Sequence, residues 1–214
     1  MSASLFHLQA LDFAYPDQPL LLKQLSLTIA PADKILLTGA NGSGKSTLLD
    51  LLAGMLKPRS GNLLLRGNAP SAQAPEAFRE LVFRRQKAAD DLFGLVPRHD
   101  LEAWRLAWPE CFSEDAVQNL GDPLLDMLDT PYSRLSAGEL RAFTLLWLPL
   151  LQDKFWLLDE PTAGLDASRQ QRFVELCASK LDSGYLIVSH STALPARLFT
   201  RVLSLENGAL KELG

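Results

Sequence analysis

Apolar and polar positions alternate irregularly from Leu5 to Phe13 and stop at Tyr15-Pro16-Asp17, which predicts a strand running into a turn. A second strand is predicted from Leu20 to Ile29, broken by Pro31-Ala32-Asp33. Lys34-Ile35-Leu36-Leu37-Thr38 is a short apolar run that stops at glycine, as a buried parallel strand would. After the stretch from Gly39 to Gly44, apolar residues Leu48, Leu49, Leu51, Leu52 and Met55 recur at helical spacing until Pro58. Asn62 to Arg66 predicts another strand, closed by Gly67.

The pattern changes at Ser71. From about 71 to 134, charges, prolines and tryptophans are mixed, and helical patches such as Leu101-Trp104-Arg105-Trp108 take the place of strands, which predicts a mostly helical insertion. Strand-like runs return at Lys154–Leu158, Tyr185–Ser189 and Arg201–Leu205, the first two preceded by helical patterns at Glu139–Leu150 and Ser168–Leu181. Strands alternating with helices of that length imply right-handed crossovers and a mainly parallel sheet in one α/β domain spanning residues 1–214. No internal repeat is evident.

Composition narrows the classes. Apolar residues make up 47% of the 214 and charged residues 21%, enough for a core and against disorder. The formal net charge of -4 argues against binding nucleic acid through bulk positive charge. Cys111 and Cys177 form no CxxC pair and read as core thiols of a reducing compartment. The N-terminal residues carry no basic-then-apolar secretory pattern. The most apolar window, Ala142–Leu151, contains Pro149 and falls well short of the ~20 residues of a membrane span, so a cytosolic chain is expected.

Two segments carry chemistry. Gly39-Ala40-Asn41-Gly42-Ser43-Gly44-Lys45-Ser46 fits G-x-x-x-x-G-K-[ST], followed by Thr47, between a predicted strand and a predicted helix. The glycines let backbone N–H groups point inward at phosphate, and the helix start adds its positive end. Lys45 is placed to reach the β- and γ-phosphates and the Ser46 hydroxyl to ligate Mg2+. The second segment is Phe155-Trp156-Leu157-Leu158 running into Asp159-Glu160-Pro161-Thr162. Acids at the end of an apolar parallel strand lie where ligands bind. Asp159 suits Mg2+, and Glu160 suits orienting and deprotonating an attacking water.

With these elements in place, the chain resembles the ATP-binding cassette family over essentially its whole length. Leu135-Ser136-Ala137-Gly138-Glu139 is similar to the family's signature motif, Ala163-Gly164-Leu165-Asp166 to its D-loop, and Ser189-His190 to its switch histidine. Gln86, after Leu81-Val82-Phe83, resembles the Q-loop glutamine, and Tyr15 the aromatic residue that stacks on adenine. The resemblance implies a phosphate-loop NTPase core with a mainly parallel sheet, an N-terminal antiparallel β element and an inserted helical subdomain. It implies ATP and Mg2+ as ligands, with Lys45, Gln86, Glu160 and His190 in catalysis and Ser46, Gln86 and Asp159 at the metal. Tyr15, Gly39 to Thr47, Ser136, Ala137, Gly138, Glu139 and Asp166 would contact nucleotide.

Ser136 can cap the helix that starts there, and Gly138 admits close backbone, so the signature forms a second anion-binding helix end. The resemblance therefore implies a head-to-tail dimer with ATP between Lys45 of one subunit and Ser136 of the other. Two departures stand out: Ala137-Gly138 for the usual Gly-Gly, and Glu139 for the closing glutamine. Ala32-Asp33 replaces the usual Gly-Glu of a turn before the phosphate strand. His7, His99, Trp104 and Trp108 are expected to be structural.

The activity implied is hydrolysis of Mg-ATP to ADP and phosphate, driving transport through separate integral-membrane subunits from the inner face of the membrane. A groove beside Gln86 would receive a coupling helix from that partner. Gln86 to Gly94 resembles the energy-coupling-factor importers of vitamins and of nickel or cobalt, while Ala137 is similar to small haem-export cassettes of cytochrome maturation. A soluble cassette ATPase acting on nucleic acid, ribosomes or iron–sulfur scaffolds is the alternative of another class. The absence of a second cassette, coiled-coil insertion, zinc motif or basic tail argues against it, and no direct nucleic-acid binding is expected.

Overall fold

The computed structural model describes residues 4–69, 79–191 and 194–213. β1 (Phe6–Phe13), β2 (Leu22–Ile29) and β4 (Ser60–Leu65) form an antiparallel sheet in the order β2-β1-β4. β3 (Lys34–Thr38), β5 (Leu81–Arg84), β6 (Phe155–Asp159), β7 (Tyr185–Val188), β8 (Arg201–Glu206) and β9 (Ala209–Leu213) form a six-stranded sheet. Its order is β5-β6-β7-β3-β8-β9, parallel throughout except for the terminal β8–β9 pair. The helices are α1 (Lys45–Leu52), α2 (Pro97–Ala107), α3 (Glu114–Gln118), α4 (Ala137–Leu146) and α5 (Ala167–Ser179).

The uninterrupted apolar runs of β6 and β7 follow from burial on both faces. Side chains alternate across a strand, so Phe155, Leu157, Leu186 and Val188 enter the core shared with α1 and the antiparallel sheet. Trp156, Leu158, Tyr185 and Ile187 enter the opposite core, with Trp104, Phe112, Phe143 and Trp147 of the helical side. Trp156 is fully enclosed, its indole N–H donating to the carbonyl of Leu151 at 2.8 Å. Lys180, 1% exposed, holds its ammonium 4.0 Å over the Trp156 ring and donates to the carbonyls of Gln152 and Lys154 and to Ser183 Oγ, which satisfies a cation otherwise costly to bury.

One correction to the sequence reading falls inside the stretch from 71 to 134. Leu81–Arg84 is not part of a helical lobe but a strand of the main sheet, paired in parallel with β6 from Leu81↔Phe155 to Arg84↔Leu158. Four residues flanked by Glu80 and Arg85 carry too weak a period to read locally, and the partner lies some seventy positions away. Residues 71–78, the predicted start of the insertion, lie outside the described residues. β9 also escaped the pattern: it is an exposed edge strand whose Lys211 and Glu212 pair with Glu206 and Arg201.

Trp104 and Trp108 stack on each other at 5.0 Å, His7 meets Thr28, and His99 accepts from the Leu95 N–H, so all four serve packing and local structure. Cys177 is buried, which pushes its thiol up to about 12, while Cys111 is only half-buried. Asp33 accepts from the Ala30 N–H and pairs with Arg201 at 2.8 Å, anchoring the turn before β3 to β8. Gly184 docks on that turn: its N–H donates to the Pro31 carbonyl at 2.6 Å, and a Cβ there would lie 1.9 Å from the carbonyl oxygen of Asp33. Gly184→Ala is expected to destabilise the fold by on the order of 3 kcal/mol, because the obstacle is backbone and cannot rotate away; urea unfolding measures this.

Candidate nucleotide-binding site

The site is built where β3 and β6 end. Gly39 follows the last residue of β3 with φ +141°, and a Cβ there would meet the Leu205 carbonyl oxygen on β8 at 2.4 Å, so only glycine lets the chain turn here. The loop re-enters helix at Lys45, whose ammonium donates to the carbonyls of Gly39 and Ala40 at 2.9 Å each. That holds the cation inside the curve of the loop. Burial holds Lys45 below the usual lysine range, opposed by the carboxylates of Glu160 and Asp159.

β6 delivers the acids. Asp159 is its last residue, 5% exposed, and Glu160 follows with φ +47°, a left-handed conformation that costs a non-glycine residue roughly 1 kcal/mol or more. The Glu160 carboxylate accepts from the His190 backbone N–H at 3.0 Å and from Ser189 Oγ at 3.2 Å, both just beyond β7. His190 Nε2 stands 3.9 Å from Glu160 Oε1, with its ring half exposed. The parallel pairing of β6 with β7 thus brings acid and histidine side by side.

A cleft of about 590 Å³ joins these groups. Tyr15, Lys45, Gln86, Asp159, Glu160 and His190 line it, with Asn41, Gly42, Gly44, Ser46 and Thr47 of the loop. Tyr15 is held by an edge-to-face contact with Phe13 at 5.0 Å and a hydrogen bond between its hydroxyl and Thr47 Oγ1 at 3.1 Å. Gln18, Leu21 and Val188, which the sequence reading did not single out, complete the wall. Ala40 and Ser43 instead line an adjoining depression of about 580 Å³ with Leu205 and Asn207.

Other expected ligand residues stand apart. Ser136, Ala137, Gly138 and Glu139 form the exposed or half-buried start of α4 and line no part of the cleft in their own subunit. Ser136 and Glu139 make a reciprocal cap: Glu139 N–H donates to Ser136 Oγ at 3.2 Å, and both the N–H and hydroxyl of Ser136 donate to Glu139 Oε2, at 2.8 and 2.7 Å. Those bonds from Ser136 hold the Glu139 carboxyl below its ordinary range. Asp166 caps α5 by accepting from the Arg169 N–H at 2.9 Å. A Cβ at Gly138 would lie 3.1 Å from the Gly164 carbonyl, so the small residue also serves the contact between signature and D-loop.

The donor set suits a hard cation. One buried carboxylate, Asp159, one hydroxyl, Ser46, and the amide of Gln86 face the same cleft, and a Mg2+ site takes few protein oxygens beside substrate phosphates. Among the described residues there is no cluster of three or more His, Cys, Asp or Glu that could hold a metal.

The sequence reading also missed Arg141. Its side chain is 3% exposed, yet its fork reaches the carbonyls of Arg85, Asp159 and Glu160. The available signal was a lone arginine at the edge of the most apolar window of the chain.

A glycine loop between strand and helix, with paired acids at the same end of the sheet one strand over, beyond β7, defines a phosphate-loop nucleotide-binding domain. The family described as ABC transporter matches residues 22–163, and the chain belongs to that family as an ATP-binding, ATP-hydrolysing subunit. It is 34% identical over 172 residues, 77% of this chain and 78% of the relative, to the cytochrome c biogenesis ATP-binding export protein CcmA of Rhizobium etli. It is 31% identical over 211 residues, 94% of this chain and 75% of the relative, to the cobalt import ATP-binding protein CbiO of Rhodobacter capsulatus. Among solved structures, CbiO1 of Clostridium perfringens, part of the ABC transporter complex CbiONQ, shares the fold with a TM-score of 0.76 at 22% identity, covering 98% of this chain and 87% of that one.

Tyr15→Ala tests the expected stacking of Tyr15 on adenine: KM for ATP is expected to rise roughly fivefold with little change in kcat, as lost stacking would weaken binding rather than chemistry, and steady-state kinetics across ATP concentration checks it.

Proposed function

We propose that two copies of this chain, or one copy and a close relative, clasp Mg-ATP between the Gly39–Thr47 loop of one and Ser136–Gly138 of the other. ATP is hydrolysed to ADP and phosphate to drive transport through separate membrane subunits. The observation that carries this reading is the convergence of Tyr15, Lys45, Gln86, Asp159, Glu160 and His190 on one cleft, while the capped start of α4 lies exposed outside it. Glu160 takes the proton of the attacking water as the new oxygen–phosphorus bond forms and the bond to the ADP oxygen breaks. Lys45 and His190 stabilise the charge gathering on the transferred phosphoryl oxygens. Mg2+, held by Ser46, Asp159 and Gln86, supplies further charge neutralisation when bound.

The groove beside Gln86, about 380 Å³ and lined by Asp50, Phe83, Arg85 and Lys87, supports docking of a membrane partner's helix on the cytoplasmic side. No described helix is long and apolar enough to cross a membrane. Inward movement of a vitamin or metal ion is the cargo reading supported by Gln86 to Gly94 and by a likeness to the cobalt import protein along 94% of the chain. Export is favoured by Ala137 and by the 34% identity to the cytochrome c biogenesis export protein. Purification in mild detergent separates these: an integral-membrane partner that stimulates the ATPase and takes up cobalt or nickel in vesicles supports import. Uptake-negative vesicles point to export, and nuclease-sensitive association with RNA or DNA overturns transport altogether.

Glu160→Gln is expected to abolish turnover while trapping an ATP-bound dimer, seen as a shift in size-exclusion elution; hydrolysis at the parental rate removes Glu160 as the base. Glu139→Gln keeps the cap, because an amide oxygen accepts the same bonds, but removes a negative charge beside the partner's ATP. In the Glu160→Gln background it is expected to lower the ATP concentration for dimer formation roughly fivefold, and an unchanged midpoint would show that the carboxylate faces away.

A further inference from the structure

Arg141 lies one turn into α4, five residues after the signature serine, and is 3% exposed. Among the described residues its side chain makes no ion pair; the fork is aimed at backbone. Nη1 donates to the Arg85 carbonyl at 2.7 Å, and Nη2 donates to the carbonyls of Asp159 at 2.7 Å and Glu160 at 2.5 Å. Nε, which is also buried, has no hydrogen-bond partner among the described residues. Leaving a buried N–H of a cation unpaired costs about 1–3 kcal/mol, a penalty that packing alone would not select. It is tolerated because the fork reaches three carbonyls from two other chain segments.

Those three carbonyls belong to residues that matter. Asp159 and Glu160 are the two acids of the cleft, and Arg85 immediately precedes Gln86. Glu160 sits at φ +47° without being glycine, so something must hold its peptide in place. Its carbonyl is fixed by Arg141 and by the Ala163 N–H at 3.1 Å, and its N–H by the Val188 carbonyl at 2.9 Å. A reciprocal contact ties the same elements from the other side: Arg84, at the end of β5, donates from Nε to the Thr144 carbonyl on α4 at 2.6 Å and stacks 4.3 Å over Trp104. Helix α4, the start of the Gln86 loop and the acids at the end of β6 are therefore one mechanical unit with the Arg141 guanidinium at its joint.

We propose that Arg141 is a positioning residue for hydrolysis: it sets the backbone of Asp159 and Glu160 and the base of the Gln86 loop relative to the signature helix, so that displacement of that helix is felt at the hydrolytic carboxylate. This rests on the reading of Glu160 as the base. It assigns to the signature helix, beyond any contact of Ser136 with a partner's nucleotide, a direct hold on the acids of its own subunit. A lysine preserves the charge at this position but is a single point donor in place of a planar fork, and it cannot span both chain segments.

The test uses the full chain with Arg141→Lys and Arg141→Gln, measuring kcat, KM for ATP and the thermal midpoint, with Glu160→Gln as control. A fall in kcat of roughly tenfold or more in Arg141→Lys, with KM within about twofold and a cooperative thermal transition retained, is the expected result, since small misplacement of a base lowers turnover without touching nucleotide binding. Parental kcat in Arg141→Lys overturns the proposal. So does parallel loss of kcat, nucleotide affinity and thermal midpoint, or loss of the thermal transition in both, because either outcome makes Arg141 a structural residue only. If Glu160→Gln itself hydrolyses ATP at the parental rate, the base reading fails independently; an inactive Glu160→Gln beside a fully active Arg141→Lys defeats this proposal alone.

Discussion

The parallel register of β3, β7 and β6 is the constraint on which the site depends. Leu36 pairs with Ile187 and Leu158 pairs with the same Ile187, so three strands end at nearly the same level. At that level the chain leaves β3 into the glycine loop, β6 into Asp159-Glu160 and β7 into Ser189-His190. Antiparallel pairing of any one would send its functional residues to the opposite edge of the sheet. Burial of both sheet faces enforces the register, because a one-residue slip would exchange Trp156 and Leu158 with Phe155 and Leu157 between cores of different shape.

The site that results is electrostatically unbalanced in one subunit. Lys45 is held by two loop carbonyls under the field of two carboxylates, and the buried Arg141 fork is turned toward backbone carbonyls. Such an arrangement favours a ligand that brings both negative phosphate and positive metal. Outside the cleft, the start of α4 offers a capped helix terminus whose serine hydroxyl is engaged by its own Glu139. In the dimer proposed above the two half-sites would meet around one nucleotide, with the capping carboxylate as a competing partner for the serine at that meeting point.

Much of this was legible in order along the chain. The glycine loop is read from spacing because only glycine can occupy Gly39 against the Leu205 carbonyl, and Lys45-Ser46 must follow to start the helix. The acids of Asp159-Glu160 stand out because they end an apolar strand. Strands β6 and β7 are visible as apolar runs since both faces are buried, and β3 since one face is buried and the other half-buried. By contrast β5 is too short and charged at its ends to show a period, and β9 is half solvent-facing; both depend on partners rather than on their own side chains. Arg141 escaped for a different reason: its ligands are carbonyl groups, which every residue carries and no residue type advertises.

Local chemistry therefore determined the phosphate loop, the carboxylate pair, the capped signature helix and the alternation of strands with helices, because each is specified by side chains within a few positions of one another. Only the tertiary structure decided which residues share the cleft, and that one buried guanidinium ties the Gln86 loop, the acids and helix α4 together. Those are contacts between segments dozens of residues apart, chosen by the packing of a sheet enclosed on both faces, and no local pattern encodes them.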